Sequence, residues 1–300
     1  MIKQRISPSV LLLTFIMVCC LSACSNPADN DKGLPEFLTI GILPDESKAE
    51  LLKRYTPLFT YLSDALGIPY KLIIPSDYAE LMHHFEHGDI DMAYFGGLTF
   101  IQANHLYDAV PLVMRDIDVY FTSYFITHPE LSANKLSDFK DFTFSFGSKL
   151  STSGHLMPRL FLQQKGIIPE EYFNKVLYSG SHDKTAFAVR NKSADLGAIN
   201  SKILDKMVLD GRIKESETHI LMETPPFPDY VWALQASIDQ HSREKIINAF
   251  LSLSPANKYH AKILSGVDAG GFLPASTRDF LQLHDIARQI GLFKGGNNLL

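Results

Sequence analysis

Past residue 24 the sequence contains no cysteine. Cys19 and Cys20 lie in an apolar N-terminal run and Cys24 closes it, so the body that follows has no disulfide, no thiolate nucleophile and no cysteine metal site. Positive charge is scarce as well: 28 Lys and Arg against 33 Asp and Glu leave a formal net charge of −5. No basic stripe is available for a phosphate backbone, which excludes nucleic acid as a partner and makes any anion site a local feature. Gly-x-Ser-x-Gly is missing, as are paired catalytic carboxylates, so an envelope hydrolase would lack its nucleophile motif. Low-complexity tracts are absent beyond Ser25 to Gly33, whose Asn, Asp, Pro and Gly content suits a tether.

The N-terminus has Lys3 and Arg5 followed by an apolar run from Val10 to Leu21. About a dozen residues are too few for a helix to cross a hydrocarbon core, which needs roughly 20, so residues 1–23 read as a secretory signal peptide. Leu21-Ser22-Ala23-Cys24 resembles a bacterial lipobox. That resemblance implies lipidation of Cys24, a tether over residues 24–36, and attachment to the membrane on the periplasmic side of the cell envelope. Ordinary cleavage, leaving Cys24 a free thiol, is the alternative.

Downstream, short β-branched runs alternate with helical periodicity. Leu38 to Leu43 reads as a buried strand, and Ser47 with Glu50 as a capping box for a helix that stops at Gly67, with Pro57 a candidate kink. Tyr70 to Ile74, Ile90 to Phe95 and Val110 to Met114 read as further strands, separated by a helix capped by Asp77 and by one that begins after Gly96-Gly97. Val119 to Thr127 is a long extended run. The alternation then restarts with strands at Thr143 to Phe146, Lys175 to Tyr178 and Leu196 to Ile199, and helices at Thr152 to Gln164, Lys184 to Lys192 and Lys202 to Leu209. A second extended stretch, His219 to Ala236, precedes terminal helices near Ser242 to Leu253, Pro255 to Leu264 and Thr277 to Ile290. Such alternation predicts mostly parallel sheets covered by helices. Two α/β units joined by two extended connections predict a discontinuous lobe (residues 37–122 and 232–300), a continuous lobe (123–231), and a ligand in the crevice between them.

Three segments carry candidate chemistry. In Gly147-Ser148-Lys149-Leu150-Ser151-Thr152-Ser153-Gly154 three successive hydroxyl residues stand where a strand gives way to a helix. Unpaired N–H groups with about half a positive charge gather at such a point, so Ser151, Thr152 and Ser153 form either an anion cradle or merely an N-cap. Replacing all three by alanine is expected to abolish binding and to leave the apo melting temperature nearly unchanged. Ser179-Gly180-Ser181-His182-Asp183 repeats that logic, with His182 able to donate to an oxyanion or to neutralise it when charged, or else to sit in a surface cap. The two helix beginnings are expected to converge across the crevice. Asp229-Tyr230-Val231-Trp232 ends the second connection, where it reads either as cleft-facing polar groups or as an aromatic hinge. His83 and His87, one helical turn apart, suit a zinc ion but show no third ligand, so they read as a solvated helix face and no metal is assigned.

At these residues the sequence resembles the phosphate/phosphite/phosphonate-binding proteins of ABC importers, near a subgroup labelled selenate-binding. The likeness runs from Gly41-Ile42-Leu43-Pro44-Asp45 through Tyr94-Phe95-Gly96-Gly97, Arg115-Asp116-Ile117-Asp118 and Thr224-Pro225-Pro226-Phe227-Pro228-Asp229-Tyr230. It implies a type II periplasmic-binding-protein fold, two α/β lobes on extended hinges, with no cofactor and no catalysis. The implied ligand residues are Tyr78, Phe95, Gly96, Ser151, Thr152, Ser153, His182, Asp183, Asp229 and Tyr230. Phe95 stands where phosphonate binders carry a tyrosine, and Lys202 near the place of a ligand-contacting glutamate. Asp183 and Asp229 would repel a fully ionised selenate, which favours an oxyanion that retains an O–H. The expected partners are a small oxyanion, an inner-membrane ABC permease and the membrane itself, for a monomeric chain. A sensor feeding a membrane histidine kinase is the alternative.

Overall fold

A computed structural model describes residues 33–131, 133 and 135–290. The expected signal peptide, Cys24 and most of the expected tether lie outside the described residues.

Two sheets organise the chain. Strands β1 (Leu38–Ile42), β2 (Tyr70–Ile73), β3 (Met92–Phe95), β4 (Val110–Arg115), β10 (Val231–Leu234) and β11 (Phe272–Pro274) form one, in the order β11-β4-β10-β3-β1-β2. Strands β5 (Ser123–Thr127), β6 (Thr143–Phe146), β7 (Lys175–Tyr178), β8 (Leu196–Asn200) and β9 (His219–Glu223) form the other, in the order β7-β6-β8-β5-β9. Each has a parallel heart, β2-β1-β3 and β7-β6-β8, because helical crossovers connect its strands. The strands fed by the long connections, β10 and β5, run antiparallel to their neighbours.

Burial follows from this layering. Along β5 the successive residues Phe125 and Ile126 face opposite sides and enter two different apolar clusters, one around Phe144, Phe173 and Leu196, the other around Val189, Ile203 and Met207. In the first lobe α1 (Lys48–Leu66) lays Tyr55 and Phe59 against Trp232, which also meets Tyr94 and Phe250. The lone tryptophan is therefore a core residue. Ser47 caps α1 and Gly67 ends it at φ +70°, while Pro57 sits inside the unbroken helix.

Both long extended runs are broken. Asp116–Tyr120 forms a 3₁₀ turn in which Arg115 pairs with Asp118, and Thr224 to Tyr230 separates β9 from β10. The two chain crossings pair instead with each other: Phe121 and Phe227 exchange backbone hydrogen bonds of 2.8 and 2.9 Å, and Ser123 N–H donates to Thr224 Oγ1. This short ladder is the join between the lobes.

Candidate functional site

Strand ends and helix starts supply the site. α2 (Tyr78–Glu86) begins with Tyr78 behind the Asp77 cap, and α3 (Gly97–Tyr107) begins directly after β3. In the second lobe β6 leads to a wide π-helical turn, Thr152–Leu156, before α4 (Met157–Gln164), with Leu156 N–H reaching back to the Ser151 carbonyl at 3.0 Å. The expected regular helix from Thr152 is opened there, a distortion common at functional sites. After α5 (Pro169–Tyr172), β7 leads to α6 (His182–Arg190), which starts two residues earlier than the pattern implied, so His182 stands in its first turn.

The two helix beginnings do converge, but within one lobe and not across the crevice. β6 and β7 are adjacent parallel strands, so their ends emerge side by side. A Cβ on Gly154 would come within 3.0 Å of both His182 Cε1 and Ser151 Oγ. The opposing wall belongs to the first lobe: Leu98 N–H donates to Thr152 Oγ1 at 2.9 Å, and His182 N–H donates to the Asp45 carbonyl at 2.9 Å. Gly96 allows this approach, since a Cβ there would lie 3.4 Å from Thr152 Oγ1 and from Asp229 Oδ1. Asp229 closes the wall from the join, accepting Gly97 N–H on Oδ1 at 3.0 Å.

Within this enclosure five buried polar atoms have no hydrogen-bond partner: Tyr78 OH, Ser153 Oγ, His182 Nε2, Asp229 Oδ2 and Asp45 Oδ1. Their residues are at most 2% exposed. Leaving such groups unpaired costs about 1–3 kcal/mol each, so their gathering marks a place where a polar guest belongs. The tautomer of His182 follows from its neighbours. Asn200 N–H points at Nδ1, 3.3 Å away, which makes Nδ1 the acceptor and puts the proton on Nε2. Burial drives the imidazole pKa down to about 3, so His182 acts as a neutral donor; the charged form and the surface cap considered from sequence do not describe the closed site. Burial raises the Asp229 carboxyl to about 6, and the hydrogen bond from Gly97 N–H offsets part of that rise. Asp45 is raised to about 7, first by burial and then by the adjacent Glu46.

The remaining sequence candidates are placed differently. Phe95 turns into the first-lobe core against Phe85, with no polar atom to offer. Asp183 uses Oδ1 locally, accepting from the Ser181 hydroxyl and Lys184 N–H, and lines a neighbouring groove with Glu46 and Asp77. Tyr230 stacks on Tyr94 at 5.0 Å, and its hydroxyl accepts from Asn200 Nδ2 at 3.0 Å. Lys202, in the first turn of α7 (Ser201–Leu209), is about half exposed and faces Asp205. Two hydroxyls of the serine-threonine triplet are already engaged: Thr152 Oγ1 holds Leu98 N–H, and Ser151 Oγ holds Gly154 N–H. The triple alanine variant would therefore also loosen the apo fold.

Asp45 and Asn200 were missed. Asp45 reads as turn chemistry after Pro44, and only its burial and the His182 contact distinguish it. Asn200 had a usable signal: like Asp77, it is a polar residue at a helix start, and its Oδ1 caps Ile203 N–H.

Two α/β lobes closing helix starts on a buried polar enclosure define a bilobal binding protein of the type II periplasmic class. Residues 40–280 match the family model described as ABC transporter, phosphonate, periplasmic substrate-binding protein. A probable ABC transporter phosphite binding protein of Prochlorococcus marinus is 30% identical over 268 residues, 85% of this chain and 90% of that one. The phosphonates-binding periplasmic protein of Escherichia coli is 26% identical over 94% of this chain and 83% of its own. A solved structure of the Prochlorococcus marinus protein PhnD1 in complex with methylphosphonate superposes with a TM-score of 0.81 at 29% identity, covering 86% of this chain and 99% of that one. The chain belongs to the family of periplasmic substrate-binding proteins of phosphonate ABC transporters, and its role is that of the binding component of such an importer.

Proposed function

We propose that this chain captures a small tetrahedral phosphorus oxyanion that retains an O–H (phosphite, methylphosphonate or hydrogen phosphate) and delivers it unchanged to an ABC permease. The observation that carries this reading is the set of unpartnered atoms: three donors, Tyr78 OH, Ser153 Oγ and His182 Nε2, beside two carboxylate oxygens, Asp229 Oδ2 and Asp45 Oδ1. An anion takes the three donors, and its own O–H answers a carboxylate. Selenate or sulfate, fully ionised, would set a bare oxygen against Asp229. Near-complete burial of these groups favours a small ligand over a phosphonate with a long substituent. Four charge-assisted hydrogen bonds at about 1.5–3 kcal/mol each supply about 6–12 kcal/mol, whose upper end reaches micromolar affinity after ordering costs.

Residues 37–122 with 232–300, and residues 123–231, act as the two jaws, hinged at the Phe121–Phe227 ladder. The lipobox-like Cys24 would hold a monomer to the membrane on the periplasmic side. Calorimetry from pH 5 to 8 tests the ligand class. Phosphite and methylphosphonate should bind and be recovered unaltered by phosphorus NMR, with selenate and sulfate much weaker; selenate binding more tightly across the whole range would overturn the reading.

A further inference from the structure

The same helix that offers Tyr78 to the oxyanion enclosure ends in a second cluster. His83, Glu86 and His87 occupy positions i, i+3 and i+4 on one exposed face of α2, and their ligand atoms all lie within 4.8 Å of one another. The two imidazoles are tilted against each other by 49°, with centroids 4.1 Å apart. His84 does not belong to this face, because Asp89 and Glu80 hold it at 3.0 and 3.7 Å.

Two details prepare the cluster for a cation. His87 Nδ1 lies 2.8 Å from the His83 carbonyl, which can only accept, so Nδ1 carries the proton and Nε2 keeps its lone pair. Orientation of one ring nitrogen by a backbone carbonyl is the usual support of a metal-binding histidine. Tyr107 of α3 lines the same cleft as Glu86. Finally, the cluster lies at the C-terminal end of α2, where the helix dipole favours positive charge. Two imidazoles and one carboxylate are a donor set for zinc-class ions, with bonds of about 2.0–2.2 Å, and three protein ligands leave further positions to water.

We propose that His83, Glu86 and His87 form a binding site for a divalent transition metal of the zinc class. The site stands at the rim of a cleft of about 540 Å³ that also reaches Tyr78, and Lys149 and Tyr178 of the second lobe line its opposite side. A cation held there would put positive charge at the entrance of a crevice whose protein is acidic overall.

The test uses zinc alone, in chelator-treated, phosphate-free buffer, so its result does not depend on the oxyanion reading. Titration calorimetry on the tag-free protein should give one zinc per chain. His83→Ala/His87→Ala should weaken binding at least tenfold, Glu86→Gln should weaken it to a lesser extent, and His84→Ala should leave it unchanged. Circular dichroism and melting of each variant check that the exposed substitutions leave the fold intact, and X-ray absorption should report two nitrogen ligands and one carboxylate oxygen. The proposal is overturned if wild type takes up no zinc, or if the double variant binds as tightly as wild type, or if His84→Ala is as damaging as the double change.

Discussion

Two polar regions lie between the lobes, and they are finished to different degrees. At the rim, Glu46, its side chain fully buried, meets Arg54 at 2.9 Å and Arg212 of the second lobe at 2.7 Å, while Asp268 meets Lys206 of the second lobe at 2.8 Å and Arg54 at 3.4 Å. Every charged residue there has an ionic partner supplied by the protein, although Glu46 Oε2 and the Arg212 Nε and Nη2 atoms make no hydrogen bond. In the interior, Tyr78, Ser153, His182 and Asp229 are as deeply buried and each keeps one atom without a partner. The contrast separates two tasks: the rim holds the lobes closed with protein groups alone, whereas the interior is completed only by a guest.

The sharpest way to break this contrast is to remove only the unpartnered oxygens. Tyr78→Phe/Ser153→Ala deletes two hydroxyls that bond to nothing in the protein and leaves the volumes nearly intact. The loss should be about 3–6 kcal/mol of ligand binding, beyond ordinary calorimetric detection, with the apo melting temperature unchanged or slightly raised. A large fall in apo stability would show that these hydroxyls serve the fold.

Asp229→Asn probes the acceptor through pH. The carboxyl is raised from 3.8 to about 6, so the stability favouring its neutral form is complete below about pH 4 and lost as pH climbs through 6. The variant should therefore be more stable than wild-type apo protein at pH 8, by up to about 3 kcal/mol at about 1.4 kcal/mol per pH unit, and the gap should fall to about half near pH 5 and close toward pH 4. Parallel melting curves across that range would contradict the raised carboxyl.

The smallest effect is expected at the rim. Arg212→Ala removes an ion pair that spans the lobes while Glu46 retains Arg54. Ligand affinity should drop about five- to tenfold, about 1 kcal/mol, through faster release seen by stopped flow, and the difference should shrink in high salt. An unchanged release rate would remove the rim from the closing mechanism.

Much of this was legible before any coordinates. Ser47 and Asp77 cap their helices as their spacing implied, and the serine-threonine triplet and His182 do lie together. Phe95, named among the ligand residues, turns into the core because resemblance locates a position along the chain and says nothing about which face of a strand it occupies. Asp45 escaped notice because Pro-Asp after a strand is the commonest of turns; its role depends on an amide from residue 182. The histidine pair lacked a third ligand in the linear pattern, since Glu86 counts as a metal ligand only once the helix places its carboxylate beside both rings.

By itself the sequence determined the local grammar: strand, turn, capped helix, and the hydroxyls and imidazole set at helix starts, all of which depend on neighbours within a few residues. Only the tertiary structure decided which of those polar atoms would be left unpaired. That outcome depends on residues far apart in the chain, such as Leu98 with Thr152 and Asp45 with His182, consuming some hydrogen-bonding groups and sparing others when the lobes close.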